Sequence, residues 1–202
     1  VMCTAQITIS SIIAPLGSIA FAANSFAINV ESLCYMPGYG VAEASTTLVG
    51  QSKGASKRDL MHSFAWICMA LGVGIMAIMG LIMWLFAPEM MSLITPDKSV
   101  IDLGTEILRI EAWAEPGFAA AIVAMSVFVG AGKTLIPSLM NLGSIWIVRV
   151  SLTLLLAPTM GLRGVWIAMA IELCFRGTIF TARLCTRKWS FIKDRSKLND
   201  TM

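Results

Sequence analysis

Five apolar stretches of roughly 20 residues or more dominate this chain, at 18–48, 63–86, 104–130, 135–157 and 164–184. A helix rises about 1.5 Å per residue, so about 20 apolar residues cross the roughly 30 Å hydrocarbon core of a bilayer. Within lipid each backbone N–H and C=O needs a partner inside the protein, which makes the α-helix the spanning element for stretches of this length. Several stretches exceed the minimum and leave room for tilt or kinks. The sequence therefore predicts an all-α fold, a polytopic membrane helix bundle. A sixth apolar stretch opens the chain at 1–14 and stops at Pro15-Leu16-Gly17. It is too short to span and lacks both an initiator Met and a basic leader, so it reads as the end of a truncated helix and the chain as a fragment, with no signal peptide.

Composition points the same way. Apolar residues make up 57% of the 202 residues and charged ones only 13%, against about 25% charged in a typical soluble domain. That is too little charge to clothe a water-facing surface, and it argues against a disordered chain or a nucleic-acid binder. The five cysteines, at 3, 34, 68, 174 and 185, never approach closer than eleven positions, so no C-x-x-C pair is present and they read as small apolar fillers. His62 is the single histidine. It leaves no His-pair metal motif and no Ser/His pairing, and the chain is not expected to be an enzyme.

The connectors fix an orientation. Alternate ones carry Lys53, Lys57 and Arg58, then Lys133, then the tail residues Arg183, Arg187, Lys188, Lys193, Arg195 and Lys197, whereas the intervening ones carry only Lys98 and Arg163. The positive-inside rule then places the 51–59 and 131–134 connectors and the basic tail, 185–202, in the cytoplasm. Gly130-Ala-Gly132-Lys133-Thr134 has the end of a phosphate-binding loop, but Val127 stands where its first glycine belongs and no strand precedes it. It reads as a tight connector with a lysine at the membrane surface.

Charges inside the spans carry the functional signal, because an ionised group in lipid costs at least about 2.5–3.5 kcal/mol and needs a cavity, a partner or a proton. Glu31 falls near the middle of the first complete span, and Glu111 and Glu115 fall four apart in the third, on one face of a continuous helix. Pro116 cannot donate to the carbonyl of Ala112 and predicts a kink beside the carboxylate. Carboxylates, a kink and a freed carbonyl suit a proton or a hard cation. The structural alternative pairs these glutamates with Arg109, Arg149 or Arg176, and Glu43 and Glu172 read mainly as structural groups. Pro37, followed by Gly38 and Gly40, predicts a bend in the first complete span, either to line a cavity or simply to pack tightly. Tyr35 and Met36 are placed beside that cavity.

Ile28-Asn-Val-Glu31-Ser-Leu-Cys-Tyr-Met36-Pro37-Gly and Thr47-Leu-Val-Gly50-Gln51-Ser-Lys-Gly54-Ala55 resemble the hallmark of multidrug and toxic compound extrusion (MATE) transporters. The resemblance continues through Glu115-Pro116, through Gly130-Ala-Gly-Lys-Thr where the family usually has Asp for Lys, through Asn141-Leu-Gly-Ser-Ile-Trp-Ile-Val-Arg149, and through Gly161-Leu-Arg-Gly-Val-Trp166-Ile-Ala. It implies one six-helix lobe, the C-terminal one, of a twelve-helix, two-lobe transporter. The implied activity is secondary antiport: export of cationic amphipathic drugs in exchange for H⁺ or Na⁺, with no cofactor beyond the coupling ion. Glu31 matches the acidic position of the second helix of the lobe, and Glu115 lies where some members place a cation-binding carboxylate, so Na⁺ is expected at Glu31 or Glu115 if at any metal site. The implied partners are drug cations, membrane lipids and the missing N-terminal lobe, with no nucleic acid. The implied location is the plasma membrane, a bacterial inner membrane, multi-pass with the C-terminus cytoplasmic. Two alternatives remain: a lipid-linked oligosaccharide flippase of the wider superfamily, which would line its cavity with arginines, and a non-transporting half-transporter.

Overall fold

The structure, a computed structural model, describes residues 2–186. The expected basic tail beyond Thr186 lies outside the described residues. Helix α1 (Met2–Ile13) ends in a 3₁₀ turn at Ala14–Leu16 that includes Pro15, and the chain reverses at Gly17. Then follow α2 (Ser18–Gly54), α3 (Arg58–Ser92), α4 (Lys98–Ala112), α5 (Glu115–Gly130) and α6 (Leu135–Gly143). Helix α6 passes through π-helical turns at Ser144–Val150 into α7 (Ser151–Met160), and α8 (Leu162–Cys185) completes the bundle. Among the described residues no strand occurs.

Among the described residues three spans are both long and apolar enough to cross a membrane: Arg58–Ser92, Leu135–Met160 and Leu162–Cys185. Helices α4 and α5 form a fourth when taken together, but they are bent by 55°. The single helix expected over 104–130 is therefore two. Helix α2 is long enough, at 37 residues, yet it falls outside this set. Its apolar content is diluted by Asn24, Asn29, Glu31, Glu43 and a run of hydroxyl residues, so the stretch expected as apolar over 18–48 is a long helix of lower hydropathy.

Helix ends follow from local chemistry. Helix α5 closes with Lys133 N–H donating to the Phe128 carbonyl (2.9 Å) and Gly132 N–H to Val129 (2.8 Å), with Gly132 at φ +72°. This αL closure needs a residue tolerant of positive φ, so glycine stands there for its backbone, as the connector reading required. Helix α2 closes the same way, with Ser56 in the left-handed position at φ +57°. Helix α4 starts on Asp97, whose carboxylate accepts from Ser99 N–H at 2.9 Å, as an N-cap should.

The two ends of the bundle are distinguished by their polar contacts. At one end Lys53 donates to the Ala131 carbonyl at 2.7 Å. At the other Arg163 pairs with Glu106 at 2.6 Å. The connectors rich in basic residues thus share one end, and the 93–97 and 158–163 regions share the opposite one.

Between helices in lipid the hydrophobic effect supplies little, so association depends on close packing of small residues. The buried face of α2 is of this kind: Ala20, Ala23, Ala27, Val30, Cys34, Gly38, Ala42 and Ser45 recur at helical spacing. Where α5 crosses α8, a side chain on Gly177 would collide with the Gly117 backbone. Two apolar clusters result. One gathers Ile13, Cys34, Met83, Met91, Leu108 and Trp166. The other gathers Val49, Met61, Met69, Val127, Phe128 and Phe180. On α5 and α8 the buried charges Glu115 and Glu172 fall in sequence between residues of the two clusters, Glu31 of α2 lies among residues of the first, and these acids make up a polar belt.

Candidate functional site

The belt holds four buried carboxylates, Glu31, Glu111, Glu115 and Glu172. A cavity of about 280 Å³ opens beside them, lined among others by Asn24, Glu31, Tyr35, Tyr39, Phe118, Arg149, Trp166, Met169 and Arg176. Asn24, Glu31, Tyr35 and Tyr39 follow one another at intervals of seven, four and four, so a single stripe of α2 supplies them. The three rings meet edge to face, with centroids 5.5 Å apart for Tyr35 and Tyr39, 5.7 Å for Tyr35 and Phe118, and 6.3 Å for Tyr39 and Phe118. Trp166 Nε1–H donates to Asn24 at 3.0 Å and ties α8 to the head of this stripe.

Two arginines share the cavity and differ in their neutralisation. Arg176 pairs with Glu172 on its own helix, Nε to Oε1 at 3.4 Å, and donates to Asn141 at 2.6 Å, while its guanidinium lies 5.8 Å from the Phe118 ring. Glu172 also accepts from the Ser144 hydroxyl at 2.6 Å. This knot fastens α8 to α6 and the π turns, and it gives Glu172 the structural place expected of it. Arg149, within the π turns, makes no ion pair among the described residues; Nη2 contacts Met169 sulfur at 2.7 Å and Nε is buried without a partner.

Glu115 differs from Glu31. It occupies the first turn of α5, where unpaired N–H groups favour negative charge. Both of its carboxylate oxygens are buried without a hydrogen-bond partner. It does not line the cavity, but Glu31 is the charged group that acts on it. Glu111 sits in the last turn of α4, buried, with Oε2 unpartnered.

The bend explains these positions and corrects the sequence reading. Ala114 N–H turns back to the Glu111 carbonyl at 2.7 Å, and Pro116 enters the first turn of α5, a position that suits a residue without an N–H. Glu111 and Glu115 therefore end one helix and begin the next, where a continuous helix would have put them on one face. Gly80 of α3 makes room for the bend: a Cβ there would lie 2.8 Å from the Ala112 carbonyl oxygen and 3.2 Å from Glu115 Cβ. Glu111 does not pair with Arg109, which is two residues away and so points elsewhere.

Met36 is a second correction. It is 61% exposed and faces away from the cavity, because the stripe that carries Tyr35 and Tyr39 turns the residue between them outward. Pro37 lies beside it on the exposed face, and α2 passes through without a break in its helical backbone. Tyr39 and Phe118, unremarked in the sequence, complete the aromatic wall; the four-residue interval from Tyr35 was the available signal for Tyr39. Among the described residues no group of three or more His, Cys, Asp or Glu side chains converges to hold a metal. A cation at Glu31 or Glu115 would have to be completed by neutral oxygens such as the Ala112 carbonyl.

The model of the MatE family matches residues 1–155. The chain belongs to the MatE family. Among curated relatives, "Probable multidrug resistance protein NorM" of Thermotoga maritima is 28% identical over 194 residues, covering 94% of this chain and 41% of that protein. The protein of the same description from Brucella suis biovar 1 is 31% identical over 175 residues, 83% of this chain and 37% of that one. The solved structure of "MATE transporter ClbM in complex with Rb+" superposes with a TM-score of 0.84 at 22% identity, covering 94% of this chain and 45% of that one. This MatE chain spans about 40% of the length of its curated relatives. Its fold is that of one lobe of the MATE transporters, and it is a multi-pass membrane protein.

Proposed function

We propose that this MatE chain is one lobe of a secondary active multidrug efflux antiporter that exports cationic amphipathic drugs in exchange for H⁺ or Na⁺. The observation that carries the proposal is the pair Glu31 and Glu115: one buried carboxylate at the aromatic cavity, and a second, sealed behind it, with neither oxygen partnered. In the ionised state the pair attracts an organic cation, and the rings of Tyr35, Tyr39 and Phe118 offer it faces and edges. A proton or Na⁺ arriving at either carboxylate cancels charge and lowers the affinity for the drug. Exchange follows, because the two ligands compete for the same negative charge and each binds better in the other's absence. The opposing wall would be supplied by a companion lobe, within a bacterial inner membrane and with the basic end cytoplasmic.

The lipid-linked oligosaccharide reading has one feature in its favour, since Arg149 and Arg176 both line the cavity. Glu172 neutralises Arg176, which leaves Arg149 as the cavity arginine without an ion pair among the described residues. Proteoliposomes of a full-length protein carrying this lobe distinguish the readings. Export of an aromatic dye cation driven by an imposed proton or sodium gradient is expected. Absence of ion-driven export, together with transbilayer movement of a lipid-linked sugar, would replace the antiport reading.

A further inference from the structure

A second cavity, of about 620 Å³, opens between α3 and α4 at the end of the bundle carrying the 93–97 connector, lined by Trp84, Asp102, Thr105, Glu106, Arg109 and Trp113 among others. It lies on other residues than the Glu31 cavity. Pro88 lacks an N–H, so the Trp84 carbonyl four residues back is freed, and Arg109 Nε donates to it at 3.4 Å with its guanidinium 5.5 Å from the Trp84 ring. This anchors the arginine by one nitrogen. Its terminal nitrogens have no partner among the described residues. One turn away Thr105 also lines the cavity, with its hydroxyl oxygen turned inward, buried and unpartnered.

The charge balance is specific. Glu106 is engaged by Arg163 at 2.6 Å, so the cavity retains one cation, Arg109, and one carboxylate, Asp102, without an ion pair among the described residues. These two are seven residues apart and Thr105 lies between them, so all three share one face of α4. An apolar groove of about 510 Å³ continues from the polar cavity, shares Trp84 and Trp113 with it, and runs over Leu81 to Pro116 without a charged residue. Trp113 is 79% exposed at the junction of the two.

We propose that this groove is a phospholipid seat selective for an amine-bearing, zwitterionic headgroup. Arg109 donates to the phosphate, Asp102 accepts from the headgroup ammonium, and an acyl chain lies along Leu81, Trp113 and Pro116. A phosphate satisfies the idle guanidinium nitrogens of Arg109. An ammonium with N–H donors serves Asp102 better than a trimethylated nitrogen, which has none. The occupant is a bilayer lipid and no soluble metabolite, because the polar part opens directly into a track without a charged residue.

The test uses a purified full-length protein carrying this lobe, titrated in detergent with phosphatidylethanolamine brominated on its acyl chains, with quenching of tryptophan fluorescence as the readout. A Trp113→Phe variant identifies the Trp113 component. Saturable quenching of that component is expected, with half-saturation about fivefold tighter than for brominated phosphatidylcholine and about tenfold tighter than for brominated diacylglycerol, the scale of one charge-assisted hydrogen bond. Arg109→Gln should weaken binding about tenfold, Arg109→Lys less, and Asp102→Asn should erase the preference for the amine headgroup. Arg109 and Asp102 are both exposed, so these variants leave the packed core untouched. Equal binding of diacylglycerol, or unchanged binding in Arg109→Gln, would reduce the groove to ordinary boundary lipid. Full displacement by free phosphoethanolamine would make the ligand a soluble one, and no Trp113 quenching would mean that protein covers the groove. None of these readings depends on ion-driven export, so the outcome is separate from that of the antiport proposal.

Discussion

The ammonium of Lys53 donates to the backbone carbonyl of Ala131 at 2.7 Å, joining the end of α2 to the connector after α5. A charge-assisted bond of this kind contributes about 1.5–3 kcal/mol where it is shielded from water, and it also gathers two basic connectors on one side. Lys53→Met should lower the thermal stability of the detergent-solubilised full-length protein without altering its substrate preference. An unchanged melting temperature would show that the bond is spent on water instead.

Orientation can be read directly. Single cysteines placed at Lys57 and at Asp97 should react with a membrane-impermeant reagent from opposite sides, Lys57 only from the cytoplasm and Asp97 only from outside. Reaction of both from one side would overturn the arrangement of connectors.

The three central carboxylates should separate by role. In ion-driven export assays Glu115→Gln should abolish uphill transport of a dye cation while weak downhill binding persists, since a permanently neutral group no longer distinguishes ion-loaded from ion-free states. Glu31→Gln should act in the same direction. Glu172→Gln should behave differently: it leaves Arg176 buried with only Asn141, and loss of one member of a buried pair costs about 3–5 kcal/mol. Its mark should be lower stability with residual coupling, measured as melting temperature beside export. Full ion-driven export in Glu115→Gln would return that residue to helix packing.

Glycines at crossings should be intolerant where glycines facing open space are not. Gly80→Ala drives a methyl towards the Ala112 carbonyl and the Glu115 side chain, and an overpacked contact costs about 1–3 kcal/mol. Gly74→Ala on the same helix meets nothing within 4 Å and should be neutral or stabilising by up to about 1 kcal/mol from helix propensity. Comparing the two variants by thermal denaturation separates contact from propensity, and equal effects would dismiss the close approach of α3 to the bend.

Phe118 is edge-on to two tyrosines, and each such pair contributes about 0.5–1.5 kcal/mol. Phe118→Ala should weaken binding of an aromatic cation by about tenfold and leave that of an aliphatic cation nearly unchanged, as equilibrium binding to the purified protein would report.

The bundle was legible because long apolar stretches translate into helices with little ambiguity, and the acids stood out against them. The bend was only half legible. Pro116 announced a disturbance, but whether the helix would kink or restart depends on Gly80, which lies 36 positions away in sequence and permits the break to nest against α3. The cavity wall was partly hidden for the same reason: Tyr35 and Tyr39 share a face by spacing, whereas Phe118 joins them only through the packing of α5 on α2. Met36 was misplaced because nearness to Glu31 in sequence says little about direction when each residue turns by about 100°.

The two apolar clusters have no residue in common. Damage in one should therefore stay local: trimming Met83 would loosen its surroundings near Trp166, while Val127, Phe128 and Phe180 keep their fit. Substitutions in the two clusters should then add in their effect on stability, as changes at distant sites with no shared partner do.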